Sequence, residues 1–151
     1  MAQAFESVHP EYDVELYFSG SQVLRMQIEQ GLPTDVFASA NEEHMLALEK
    51  GQYIDQPVVF ADNALALIYN LTHAPVLKTE ADWVHIKRLV LGVETAPIGR
   101  YTSQMFGKMD AHIGDGFGDK VREGVVSYEK NVRLVRARVE LVEADAAIVY
   151  R

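Results

Sequence analysis

The sequence predicts an α/β fold built on a mainly parallel sheet, and three observations carry that prediction. Short apolar, β-type runs alternate with helical stretches along the chain. The run Ala64-Leu65-Ala66-Leu67-Ile68-Tyr69 is almost continuously apolar, as a buried parallel strand would be. The 151 residues are 48% apolar and 24% charged, which excludes intrinsic disorder and gives one domain, or two small lobes, enough chain to bury a core.

The elements follow in order. Val14-Glu15-Leu16-Tyr17-Phe18 reads as a strand between Pro10 and Ser19-Gly20-Ser21. Gln22 to Gln30 reads as a helix stopped by Gly31 and Pro33. Val36-Phe37-Ala38 is a short strand. Asn41 is a natural N-cap for a helix from Glu42 to Lys50, whose leading glutamates suit the positive end of the helix dipole. Val58-Val59-Phe60 and Ala64 to Tyr69 follow as strands, then Arg88 to Gly92. Ile98 to Lys108 reads as helical and Val125-Val126 as a brief strand. Asn131 opens a helix in which Val132, Val135, Val139 and Val142 recur at helical spacing. Ala146 to Tyr150 closes the chain as a strand with no covering helix, which reads as a cut end.

Charge and composition exclude several function classes. Fourteen basic against 22 acidic residues give a net charge of −8, which supplies no field to attract nucleic acid or acidic lipid. Without cysteine there are no disulfides, thiolate metal sites or cysteine nucleophiles. No apolar run approaches the ~18–20 residues that span a bilayer. The amino end has neither a basic n-region nor an h-region, so no signal peptide is expected in this chain. The histidines (His9, His44, His73, His85, His112) lack zinc-ligand spacing. Asp110, His112, Asp115 and Asp119 form the densest potential metal-ligand cluster, but their spacing fits no calcium loop, and Gly114, Gly116 and Gly118 between them read as a flexible turn. Nothing pairs Ser19 or Ser21 with a His and Asp into a hydrolase triad.

Three places share one design, a turn or cap residue followed by a helix start: Ser19-Gly20-Ser21, Ala96-Pro97-Ile98-Gly99 and Asn131-Val132. Helix amino ends expose unpaired N–H groups and positive dipole, so they suit anions. Every helix has such an end, so the design alone is not specific. Arg100 and Arg133, just inside two of these starts, read as solvated surface arginines.

Phe18-Ser19-Gly20-Ser21, Gln27-Ile28-Glu29-Gln30-Gly31, Pro33 to Ala40, Ala96 to Tyr101, Asn131-Val132-Arg133 and Glu143 to Tyr150 together resemble the periplasmic molybdate-binding proteins of ABC importers. The resemblance implies a periplasmic-binding-protein-like α/β fold, with two lobes of mainly parallel sheet and molybdate or tungstate held between them. By position the implied ligand donors are the Ser21 hydroxyl, the backbone amides of Ile98 and Val132, and the Tyr150 hydroxyl. The chain would bind rather than catalyse, need no cofactor, and work outside the cytoplasm with a membrane permease. The resemblance divides the chain into a partial lobe one (1–61), lobe two (62–147) and a crossing strand (148–151), with a hinge near Asn63 and Ile148. It starts the chain inside a helix around Ala2 to Val8 and leaves lobe one incomplete, with apolar faces open to self-association. Rival expectations are a cytoplasmic ligand-sensing domain of the same fold, a non-binding truncated remnant and, last, an enzyme on this fold.

Neutral donors suit such a guest. Each hydrogen bond to a charged acceptor contributes roughly 1.5–3 kcal/mol, and a donor-only site has no acceptor for the protons of phosphate. A cavity fitted to molybdate would leave some donors too far from the smaller sulfate.

Overall fold

The computed structural model describes residues 2–72 and 76–151; His73 of the sequence analysis lies outside them. Three helices come first: α1 (Ala2–Val8), α2 (Ser21–Glu29) and α3 (Glu42–Lys50). Strand β1 (Leu65–Tyr69), a 3₁₀ turn (Glu80–His85) and β2 (Leu89–Gly92) follow. Then come α4 (Pro97–Ile113), α5 (Phe117–Arg122), β3 (Val125–Glu129), α6 (Val132–Glu140) and β4 (Ala146–Tyr150).

The strands form one sheet in the order β1-β4-β2-β3. Strand β2 runs parallel to both β3 and β4, as the sequence predicts. Strand β1 differs from expectation. It is an edge strand, antiparallel to β4 from Leu65↔Tyr150 to Tyr69↔Ala146. Its continuous apolar character has another cause: Leu65 and Leu67 pack into the core on one sheet face and Ile68 into the core on the other. Covering both faces demands apolar residues whichever way the strand runs.

Alternate side chains of β2 and β4 divide between the two faces. Leu89, Leu91, Ala146 and Ile148 face α4 and α5, where Phe106, Phe117 and Val121 bury against them. Val90, Ala147 and Val149 face α6, meeting Val135 and Val139.

The predicted strands Val14–Phe18, Val36–Ala38 and Val58–Phe60 are not strands. Each lies in irregular backbone without a ladder partner among the described residues. A β-run becomes a strand only when a neighbour takes its hydrogen bonds. Leu16, Tyr17, Phe18, Val36, Val58, Val59 and Phe60 are accordingly exposed.

Helix boundaries show local chemistry at work. Asn41 caps α3 by accepting the His44 N–H, and Asn131 caps α6 by accepting the Leu134 N–H. Helix α2 ends in a Schellman motif: Gly31 (φ +92°) donates to the Ile28 carbonyl and Leu32 to the Gln27 carbonyl. Helix α6 ends the same way with Val142 in the glycine position (φ +59°), donating to the Val139 carbonyl. Val142 is thus not on the helical stripe; a β-branched residue in left-handed backbone is rare enough to mislead a periodicity reading. Helix α4 runs past Lys108 to Ile113, and the glycine-rich stretch after it is only partly a turn. Gly114 and Gly116 take positive φ, but Gly118 lies inside α5, where its N–H donates to Asp110 Oδ1 at 2.8 Å. Asp110 is therefore occupied in joining α4 to α5. Among the described residues no three His, Asp or Glu side chains cluster closely enough to hold a metal ion.

Candidate functional site

Three of the four sequence-predicted donors lie at the carboxyl edge of the parallel strands, where open α/β sheets place their ligands. Tyr150 ends β4; the loop after β2 leads into the start of α4 at Pro97-Ile98; the loop after β3 leads into the start of α6 at Val132. Ser21 belongs to another part of the chain, at the first residue of α2. It is joined to this edge by its neighbours: Gln22 Nε2 donates to the Lys130 carbonyl at 3.0 Å, across 108 residues of sequence. Gly20 approaches the same carbonyl so closely that a Cβ there would lie 2.8 Å from it.

Each donor is free for a reason visible in its surroundings. Ser21 is buried, and its hydroxyl does not cap α2; the cap is Gly20, with no side-chain bond. Instead Ser21 Oγ accepts the Ala40 N–H at 3.0 Å, which leaves its own proton to donate elsewhere. In α4, Pro97 has no N–H, and the helix's own ladder begins with the Arg100 N–H on the Ala96 carbonyl. The Ile98 and Gly99 amides consequently have no intrahelical acceptor. In α6 the Asn131 side chain takes the Leu134 N–H and the Asn131 carbonyl the Val135 N–H, so the Val132 amide has no intrahelical acceptor either.

The Tyr150 hydroxyl is the most telling. It is shielded from solvent and has no hydrogen-bond partner among the described residues. Burial raises its pKa well above the phenolic range, and the Tyr101 hydroxyl on α4 adds to that rise. The group is a neutral O–H donor with no acceptor among the described residues, and such a group costs free energy unless a guest accepts its proton.

Close packing holds the α4 start in place. A Cβ on Gly99 would lie 2.1 Å from the Val93 carbonyl oxygen, and one on Gly92 would lie 2.4 Å from Ile98 Cγ2. The helix start therefore rests directly on the end of β2. Sequence reasoning named Gly99 but missed Gly92 as its counterpart; a second glycine seven residues upstream, at a strand end, was the available signal. It also missed Gln22 and Tyr101, whose roles depend on contacts far apart in sequence. Arg100 and Arg133 keep much of their solvent contact, as expected, and also reach across to Glu43 and to the Phe18 ring, which the sequence did not show.

A cavity of about 140 Å³ lies on the α4–α5 side of the sheet where α4 meets β2, bordered by Gly92, Glu94, Gly99, Ser103, Arg122 and Tyr128. A shallower hollow of about 290 Å³ lies beside β1, near Tyr69, Lys78 and Trp83. Neither is lined by Ser21, Ile98, Val132 or Tyr150.

Comparison with known proteins agrees with this architecture. The family profile described as "Bacterial extracellular solute-binding protein" matches residues 1–151. A molybdate-binding protein of Haemophilus influenzae is 30% identical, the match covering 99% of this chain and 59% of that protein. A molybdate-binding protein of Mycobacterium tuberculosis is 27% identical over 99% of this chain and 54% of its own length. The solved periplasmic molybdate-binding protein of Azotobacter vinelandii superposes with a TM-score of 0.74 at 18% identity, covering 99% of this chain and 64% of that one. At that identity the likeness concerns the fold. The chain spans about half the length of the curated relatives it matches. With a periplasmic-binding-protein-like α/β architecture and a family match along its full length, the chain belongs to the bacterial extracellular solute-binding proteins.

Proposed function

We propose that the chain binds a tetrahedral oxyanion, molybdate or tungstate, as the solute-binding part of an ABC importer working outside the cytoplasm with a membrane permease. The guest would accept hydrogen bonds from the Ser21 hydroxyl, the Ile98 and Val132 amides and the Tyr150 hydroxyl. The observation that carries this reading is the buried, unpartnered Tyr150 hydroxyl at the same sheet edge as two helix starts with unpaired amides. The named ligands of the Haemophilus and Mycobacterium relatives support the choice of anion. Residues 1–61 and 62–147 would form two lobes, with 148–151 crossing back and a hinge near Asn63 and Ile148, so that capture is closure around the anion.

Calorimetric titration with molybdate, tungstate and sulfate tests the reading. Molybdate and tungstate should bind with similar affinity and sulfate far more weakly. At ~100 times its dissociation constant the ligand should add about 2.7 kcal/mol of stability, visible as a higher melting temperature. Equal binding of sulfate, or no heat and no melting shift with any of the three, overturns it.

Tyr150→Phe separates a binding role from a packing one. Removing the buried, unpartnered hydroxyl should leave the ligand-free melting temperature unchanged or raised. Loss of a hydrogen bond to a charged acceptor should weaken oxyanion binding by roughly ten- to a hundredfold. A lowered ligand-free melting temperature with unchanged affinity would make Tyr150 a structural residue.

A further inference from the structure

We infer that Arg100 and Arg133 are two clasps that set how long the oxyanion stays bound. The inference rests on the oxyanion reading above. Both arginines occupy the first turn of a helix, α4 or α6, where a cation opposes the positive end of the dipole. Each finds its partner outside its own helix, in the part of the chain before β1. Arg100 pairs with Glu43 in the first turn of α3, a carboxylate well placed at its own helix start. The Arg133 guanidinium stacks over the Phe18 ring, 3.9 Å from its centroid, although Phe18 is otherwise exposed.

The positions of these contacts relative to the candidate donors give them a role beyond stability. Phe18 lies three residues before Ser21, and Arg133 directly follows Val132. Arg100 lies two residues after Ile98, and Glu43 three after Ala40, whose N–H donates to Ser21 Oγ. The bond from Gln22 to the Lys130 carbonyl runs between the same two neighbourhoods. Each contact thus joins the side carrying the Ser21 hydroxyl to a side carrying a helix-start amide. An anion held by both cannot leave until those sides part, so the clasps act on dissociation.

The two clasps differ in chemistry. The Arg100–Glu43 pair is solvent-exposed, and salt weakens it. The Arg133–Phe18 stack depends on the ring quadrupole and on contact area, so salt affects it less.

Stopped-flow kinetics with molybdate, alongside NMR of the ligand-free chain, test the proposal. Arg133→Leu and Phe18→Leu should each raise the dissociation rate about fivefold, with the association rate nearly unchanged and the double variant no worse than either single one. Arg100→Glu should raise it similarly, and Arg100→Glu with Glu43→Arg should bring it back. Raising salt should speed dissociation from the wild type but not from the Arg100→Glu variant. In the ligand-free spectrum the Arg133 δ-methylene protons should lie upfield under the Phe18 ring, and Phe18→Leu should abolish that shift. Unchanged dissociation rates, an additive double variant, or a wild type that binds molybdate without the ring-current shift would overturn the clasps alone. A wild type that shows the shift yet binds no molybdate overturns the oxyanion reading, and the clasps' part in release falls with it.

Discussion

Gly99→Ala is expected to destabilise the chain severely and to abolish tight oxyanion binding together. The new methyl would sit 2.1 Å from the Val93 carbonyl oxygen and 2.4 Å from that of Gly92. Both are backbone atoms, so no side-chain rotation relieves the clash. The start of α4 must lift off the end of β2 by roughly 1 Å to restore ordinary contact. Overpacking usually costs about 1–3 kcal/mol, and a clash with two carbonyls belongs at the top of that range or above it. The same displacement moves the Ile98 amide away from any fixed guest. Gly107→Ala, in the same helix, is the matched comparison: a Cβ there meets nothing within 4 Å. Its added helix propensity should stabilise by about 0.5–1 kcal/mol. Urea melts of the two variants should move in opposite directions, and molybdate titration should lose tight binding in Gly99→Ala while Gly107→Ala keeps it; a Gly99→Ala chain as stable as the wild type would disprove the close approach of α4 to β2.

Phe106→Ala should cost about 3–5 kcal/mol of folding stability, the usual range for emptying a buried aromatic site. Phe106 is 1% exposed and is the largest fully buried side chain among the described residues. It joins α4 to the sheet and to α5. Its ring packs with Leu89, Leu91 and Ile148 of the sheet; Gly118 of α5 lies against its Cβ; and the Arg122 guanidinium sits 4.8 Å from its centroid. The cavity cannot collapse easily, because β2 and β4 are also held by α6 on the opposite face. For a chain of this size the melting temperature should fall by about 10 °C or more. A loss below about 1 kcal/mol in a denaturant titration would mean that α4 and α5 do not share a packed core.

Local chemistry was legible in the sequence, and tertiary chemistry was not. Asn41 and Asn131 announced their helices, and Gly31 its helix end, because caps act within a few residues. Strands β2, β3 and β4 were found from short apolar runs. The same signal failed at Val14–Phe18, Val36–Ala38 and Val58–Phe60, since apolar β-type residues do not reveal whether a pairing partner exists. It also hid the direction of β1, which composition does not encode. Helix α5 was lost because six residues opening on glycines resemble a turn. At the candidate site, the three helix starts were readable from Gly20, Pro97 and Asn131. The reach of Arg100 to Glu43 and of Arg133 to Phe18 was not, because those pairs are separated by 57 and 115 residues in sequence (100 − 43 and 133 − 18).

The place of β4 between β1 and β2 governs the order in which the sheet can assemble. Strands β2 and β3 can zip together once α4 and α5 have formed between them, but among the described residues β1 pairs only with β4. Leu65 therefore waits 85 residues (150 − 65) for Tyr150, and closing so long a loop is entropically costly and slow. During synthesis β1 is made before β4, so its ladder can form only after residues 146–150 have followed. The insertion that completes the ladder also brings the Tyr150 hydroxyl to its place, so the pairing of β1 with β4 and the completion of the proposed anion site are one event.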